Sequence, residues 1–176
     1  MKTSLRRVRL QPGELYVARE PAMLETILGS CVSATLWSPR LALGAMCHGI
    51  LPRSPRGITA PDGFRYVDFS IRYLVDRFDE LGVTRNEIQA KLFGGADVLP
   101  VSANGKRTVG YMNHQIAVDV LEQEALMLSA SDLGGTRGRT IHFNSATGDV
   151  FVRRLARFNA SKYDPSADRL MAEDEG

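Results

Sequence analysis

The sequence predicts a single α/β domain, a layered sandwich of mixed β-sheet with two main helices. Three observations lead there. The 176 residues are 44% apolar and 24% charged, ordinary values for one globular domain able to bury a core. Short runs rich in β-formers alternate with glycine and proline punctuation along most of the chain. Two longer segments carry apolar residues at helical spacing.

Taken in order, residues 1–13 are basic and lack a pattern, and they are assigned to a flexible N-terminal arm. Residues 15–18 form a first short strand and 23–28 a second, leading into Gly29-Ser30-Cys31. A third strand, 32–37, stops at Ser38-Pro39, and an apolar run, 43–51, stops at Pro52. Residues 52–63 hold prolines, glycines and charges, hence a loop. From Val67, residues Ile71, Leu74, Val75 and Phe78 recur with the α-helical period, and Gly82 is placed to end that helix. Thr84 and Glu87 have capping-box spacing, but the following run 88–93 alternates like a strand, so the box is discounted. A second helix occupies 110–124, a strand 126–131, and 140–144 with 149–153 flank a hairpin turn. The globular domain is thus 14–158, and the polar, acidic stretch 159–176 reads as a disordered tail.

Composition excludes several functions. Lys plus Arg number 22 against 20 acidic residues, and the net charge of +2 with no aromatic interleaving gives no nucleic-acid surface. No apolar run approaches the ~20 residues of a membrane span, and Gln11-Pro12-Gly13-Glu14 stands where a signal peptide would place its apolar core. A cytoplasmic protein is expected. The two cysteines, Cys31 and Cys47, are too few for a disulfide scaffold.

Cys31 can be read as a small buried hydrophobe or as a nucleophile in a glycine-opened turn, where nearby N–H groups of Gly29 and Ser30 could face an oxyanion. His48 can be a satisfied core histidine or a base. Pairing 32–37 with 43–51 through the turn at 39–42 brings Cys31 and His48 to one end of a hairpin, which favours a Cys–His dyad. Cys47 points to the opposite face from His48, which counts against a zinc site built from the three, and no metal-ligand spacing occurs elsewhere. Neither a metal nor an organic cofactor is expected.

Leu28-Gly29-Ser30-Cys31-Val32 and Gly44-Ala45-Met46-Cys47-His48 closing on Leu51-Pro52 resemble the CheD chemoreceptor glutamine deamidases. So do Tyr66-Val67-Asp68, Ala90-Lys91-Leu92-Phe93-Gly94-Gly95-Ala96, Asp132-Leu133-Gly134-Gly135 and Phe143-Asn144-Ser145-Ala146-Thr147-Gly148, in the same order, over residues 14–155. The resemblance implies a layered α/β fold shared with other thiol deamidases and catalysis by Cys31 and His48. It implies methyl-accepting chemotaxis receptors as protein substrate, a secondary methylesterase activity on receptor glutamates, and a CheC-type phosphatase as partner. The family's histidine-assisting threonine falls, in an ungapped match, on Glu25 with Thr26 beside it. The orienting group is therefore Glu25 or Thr26. The rival to an enzyme is a non-catalytic chemotaxis adaptor.

Overall fold

A computed structural model describes residues 4–99 and 106–157. The chain forms β1 (Arg6–Arg9), β2 (Leu15–Ala18), β3 (Ala22–Leu28), β4 (Val32–Ser38), β5 (Leu43–Cys47), α1 (Val67–Glu80), β6 (Gln89–Gly94), α2 (Val109–Gln123), β7 (Leu128–Leu133), β8 (Arg139–Asn144) and β9 (Val150–Arg154). Two mixed sheets stack. One has the order β2-β5-β4-β6-β7, the other β1-β3-β8-β9.

Alternation along β4 and β5 explains the layering. Val32, Ala34 and Leu36, with Leu43, Ala45 and Cys47, point to one side and pack under α1 and α2. Met46 and Trp37 point the other way, into a second core with Leu24, Leu28, Ile141 and Phe143 from the smaller sheet. Every residue of β5 is buried, which is why its stretch of sequence reads as continuously apolar. The order is therefore helices, five-stranded sheet, four-stranded sheet, as the predicted single-domain α/β class requires.

The helices fall where periodicity places them. Val67, Ile71, Leu74, Val75 and Phe78 line the buried face of α1, and Gly82 follows it at φ +75°. Thr108 caps α2, accepting the Tyr111 N–H at 3.1 Å.

Three expectations need correction. Within the supposed arm 1–13, residues 6–9 form β1, parallel to β3 from Arg6↔Ala22 to Arg9↔Glu25. An edge strand with three arginines shows little apolar alternation, so its sequence hid it. Its Val8 packs on the inter-sheet core, and Leu10 beyond it is 4% exposed. The Thr84–Glu87 capping box does form, around a single 3₁₀ turn at Arg85–Glu87 that leads into β6. The apolar run 43–51 is strand only to Cys47; Gly49 then bridges Val32, and Leu51 bridges Tyr66. The tail assigned to 159–176 lies outside the described residues.

Candidate active site

Cys31 closes the short link between β3 and β4, which carries the chain from one sheet to the other. Its carbonyls are all held. Gly29 O accepts from Ala96 N at 3.0 Å, Ser30 O from the Asn113 side chain at 2.9 Å, and Cys31 O from Gly95 N at 2.8 Å. Among the described residues the amide N–H groups of Gly29, Ser30 and Cys31 donate to no backbone carbonyl. Fixed carbonyls and uncommitted amides are what an anion-accepting turn needs, so Gly29 and Ser30 keep their candidacy as oxyanion donors.

His48 directly follows β5. The mutual hydrogen bonds between Val32 and Gly49, at 3.0 and 2.8 Å, extend the β4–β5 ladder to this end. In that register Cys31 and His48 are diagonal neighbours on one face, a spacing that side chains can cross. Their common face is the one carrying Met46, turned toward the smaller sheet, whereas Cys47 faces the core under α1. The expected pairing of 32–37 with 43–51 is present, and Cys31 and His48 both lie at its open end.

Of Glu25 and Thr26, it is Thr26 whose side chain reaches His48. Thr26 Oγ1 lies 2.7 Å from His48 Nδ1 and donates to Leu10 O at 2.9 Å. A hydroxyl has one proton; spent on Leu10, it leaves Oγ1 to accept from Nδ1–H. His48 is thereby fixed as the Nδ1–H tautomer, with a lone pair on Nε2. Nε2 is buried and has no hydrogen-bond partner among the described residues. Glu25 points to the outer face of β3, pairing with Arg7 and approaching His142 Nε2 at 3.8 Å.

The segment once read as an arm completes this cradle. Leu10 supplies the carbonyl behind Thr26, Gly13 N donates to His48 O at 2.9 Å, and His48 N donates to Glu14 O at 2.9 Å. Residues 9–12 with Thr26, Ile27 and His48 line a small pocket of about 190 Å³. No sequence signal marked Leu10, because its contribution is a backbone carbonyl.

Burial sets the charge states. It lowers His48 to about 4 against a smaller opposing pull from Glu14, and it raises the Cys31 thiol, with the residue's own amide N–H pulling the other way. At neutral pH both groups are uncharged. The arrangement suits removal of the thiol proton by Nε2 as sulfur attacks, rather than a stored thiolate–imidazolium pair. Iodoacetamide alkylation of Cys31, followed by peptide mass spectrometry, is therefore expected to be slow near pH 6 and to climb steadily past pH 9. A rate already at its plateau near pH 6 would show a stored ion pair.

Comparison with known proteins bears on what such a site does. The family described as CheD chemotactic sensory transduction matches residues 50–154. A Geobacter sulfurreducens protein named probable chemoreceptor glutamine deamidase CheD 2 is 44% identical, over 87% of this chain and 92% of its own length. The chain belongs to the CheD family. Proteins named probable chemoreceptor glutamine deamidase CheD from Maridesulfovibrio salexigens and Rhodospirillum rubrum are 36% and 39% identical, covering 89% and 88% of this chain and 96% and 86% of theirs. A match spanning 87% of the chain necessarily contains both Cys31 and His48. The solved structure of Bacillus licheniformis hypothetical protein YfiH, at TM-score 0.45 and 12% identity over 74% of this chain and 59% of that one, is too remote to inform the site.

The CheD motifs divide between site and scaffold. Gly94-Gly95 lies against the Cys31 carbonyl and Gly134 N donates to Gly94 O at 2.8 Å, so the two glycine pairs stack behind the cysteine turn. Buried Arg139 binds the Asp132 side chain at 2.7 Å and the Gly134 carbonyl, fixing that stack to β8. Asn144–Gly148 is structural and sits at the other end of the β4–β5 hairpin. There Ser145 O accepts the Trp37 indole N–H at 3.0 Å and Ser145 Oγ accepts Ala22 N–H at 2.9 Å. His114 packs on the Gly95 turn with Nδ1 3.2 Å from Gly95 O. Among the described residues no helix is long and apolar enough to cross a membrane.

Proposed function

We propose that this CheD-family chain deamidates specific glutamine side chains of methyl-accepting chemotaxis receptors to glutamate, releasing ammonia, with Cys31 as nucleophile and His48 as base. The observation that carries the reading is the Leu10–Thr26–His48 relay, which leaves the Nε2 lone pair buried and unpaired on the face shared with Cys31. A core histidine kept only for packing would have both ring nitrogens satisfied.

In this mechanism Nε2 takes the thiol proton as sulfur attacks the carboxamide carbon. Amides near Gly29 and Ser30 receive the developing oxyanion. Protonated His48 returns its proton to the leaving nitrogen, which departs as ammonia and leaves a thioester. Neutral His48 then deprotonates a water that attacks the thioester carbon, and expulsion of sulfur with return of the proton yields glutamate and free thiol. The steps draw only on these side chains, amides and water. A receptor glutamate methyl ester would give the same thioester with methanol leaving, which makes methylesterase activity the natural side reaction. The reaction belongs in the cytoplasm, where receptor helices are accessible, and the family resemblance adds a CheC-type phosphatase as docking partner.

The test is mass spectrometry of receptor cytoplasmic domains incubated with the protein. Particular glutamine peptides should gain about one mass unit, amide nitrogen having been exchanged for oxygen. Receptor that binds the chain yet gains no mass would overturn the proposal and establish an adaptor instead.

A further inference from the structure

Beyond the Val32–Gly49 bridge the β4–β5 ladder stops. Continued by one step, it would set Cys31 opposite Ile50. Both have other backbone partners. Cys31 O accepts from Gly95 N at 2.8 Å, and Ile50 N donates to Arg65 O at 2.8 Å. The two chains that carry Cys31 and His48 therefore part at the point where the dyad must be held together.

One side chain spans the split. Asn113, from α2, is 0% exposed, and its Nδ2 donates to Ser30 O at 2.9 Å and to Ile50 O at 2.8 Å. Both acceptors are carbonyls, so the amide orientation is dictated and both of its protons are used. Ser30 immediately precedes Cys31, and Ile50 follows His48 by two residues. The carboxamide thus replaces the missing rung of the ladder. Its own anchor is rigid, since Ile116, Ala117 and Val120 seat α2 on the sheet. Asn113 Oδ1 has no partner among the described residues, an unfavourable feature that helix packing alone gives no reason to keep.

We propose that Asn113 is a positioning residue that sets the Cys31 turn in register with the His48 segment. The inference rests on the Cys–His reading of the site but not on the identity of the substrate. Ser30 and Ile50 carbonyls left unpaired would let the two segments drift, and a misplacement of ~1 Å at reacting groups can cost about a hundredfold in rate.

The experiment is a double-mutant cycle of Asn113→Leu and His48→Ala, read as the rate of Cys31 alkylation by iodoacetamide at pH 7.5 in folded protein. Native protection of buried Cys47 and a cooperative melt certify the fold. Each single variant should slow alkylation by roughly tenfold, and the double variant should be little slower than either, because both sever the same coupling. Effects that multiply, or no effect of either variant, would overturn the proposal. If Asn113→Leu does not fold, Asn113→Ser removes the span with less disturbance and is read in the same way. On receptor substrate, kcat should fall by roughly ten- to a hundredfold with KM changed less than about twofold. Wild type that shows the coupling yet deamidates no receptor would refute the substrate assignment alone.

Discussion

Cys31→Ala is expected to bring receptor deamidation to background, and His48→Ala to lower kcat by about 10²–10⁴, the range general acid–base catalysis contributes. The two differ because in the proposed mechanism sulfur forms the thioester, whereas a poorer proton acceptor can partly stand in for the imidazole. The pH profile should carry His48's signature. As a base it works only when neutral, and burial holds it near 4. Activity is therefore present above about pH 4 and is lost as pH falls through that value; an unperturbed imidazole would place the limb near 6.5. Stability runs in the same direction. Between about 6.5 and 4 the unfolded chain binds the His48 proton first, so native stability falls as pH falls through that window. Rates of wild type and His48→Ala, measured from pH 4 to 8 beside melting curves, separate the two effects. An acid limb near 6.5 in fully folded wild type would remove His48 from the role of buried base.

The β4–β5 pairing that sets Cys31 and His48 at one end was legible in the sequence because a hairpin is a local object. A turn signal at Ser38-Pro39, two apolar runs and antiparallel geometry sufficed to put Cys31 and His48 at the same end of that hairpin. Thr26 against Glu25 was not legible. The run Met23-Leu24-Glu25-Thr26-Ile27-Leu28 is apolar in both phases, so alternation did not say which side chain faced in. The decision came from packing, as Leu24 and Leu28 are 0% exposed beside buried Thr26, while Ile27 is 51% exposed. β1 was hidden for a related reason. A parallel edge strand needs a neighbour distant in sequence, and Arg6-Arg7-Val8-Arg9 advertises none. Asn113 shares the buried face of α2 with Gly110, Ile116, Ala117 and Val120, and only the tertiary fold shows both carbonyls it meets.

The second large effect is expected from Gly94→Ala. Gly94 has φ +104°, and a Cβ there would lie 2.1 Å from Cys31 O and 3.3 Å from Leu28 Cδ1. Neither atom has room to retreat. Cys31 O is held by Gly95 N at 2.8 Å, and Leu28 is in the inter-sheet core. Relief requires the cysteine turn to move by about 1 Å, enough to cost on the order of a hundredfold in kcat when it separates a nucleophile from its base. The backbone conformation alone adds about 1–2 kcal/mol of strain for any L side chain. Gly82→Ala separates these contributions. It has φ +75° with no atom within 4 Å of its Cβ position, so it should bear the strain, lowering Tm by a few degrees, while turnover stays at the wild-type level. Melting curves and deamidation rates on the same samples decide the matter. If Gly94→Ala lost no more activity than Gly82→Ala, the glycine would be a turn former only. A loss in Gly94→Ala well beyond its drop in Tm would mean that the absent Cβ is what lets the Gly94-Gly95 turn press the Cys31 carbonyl into place.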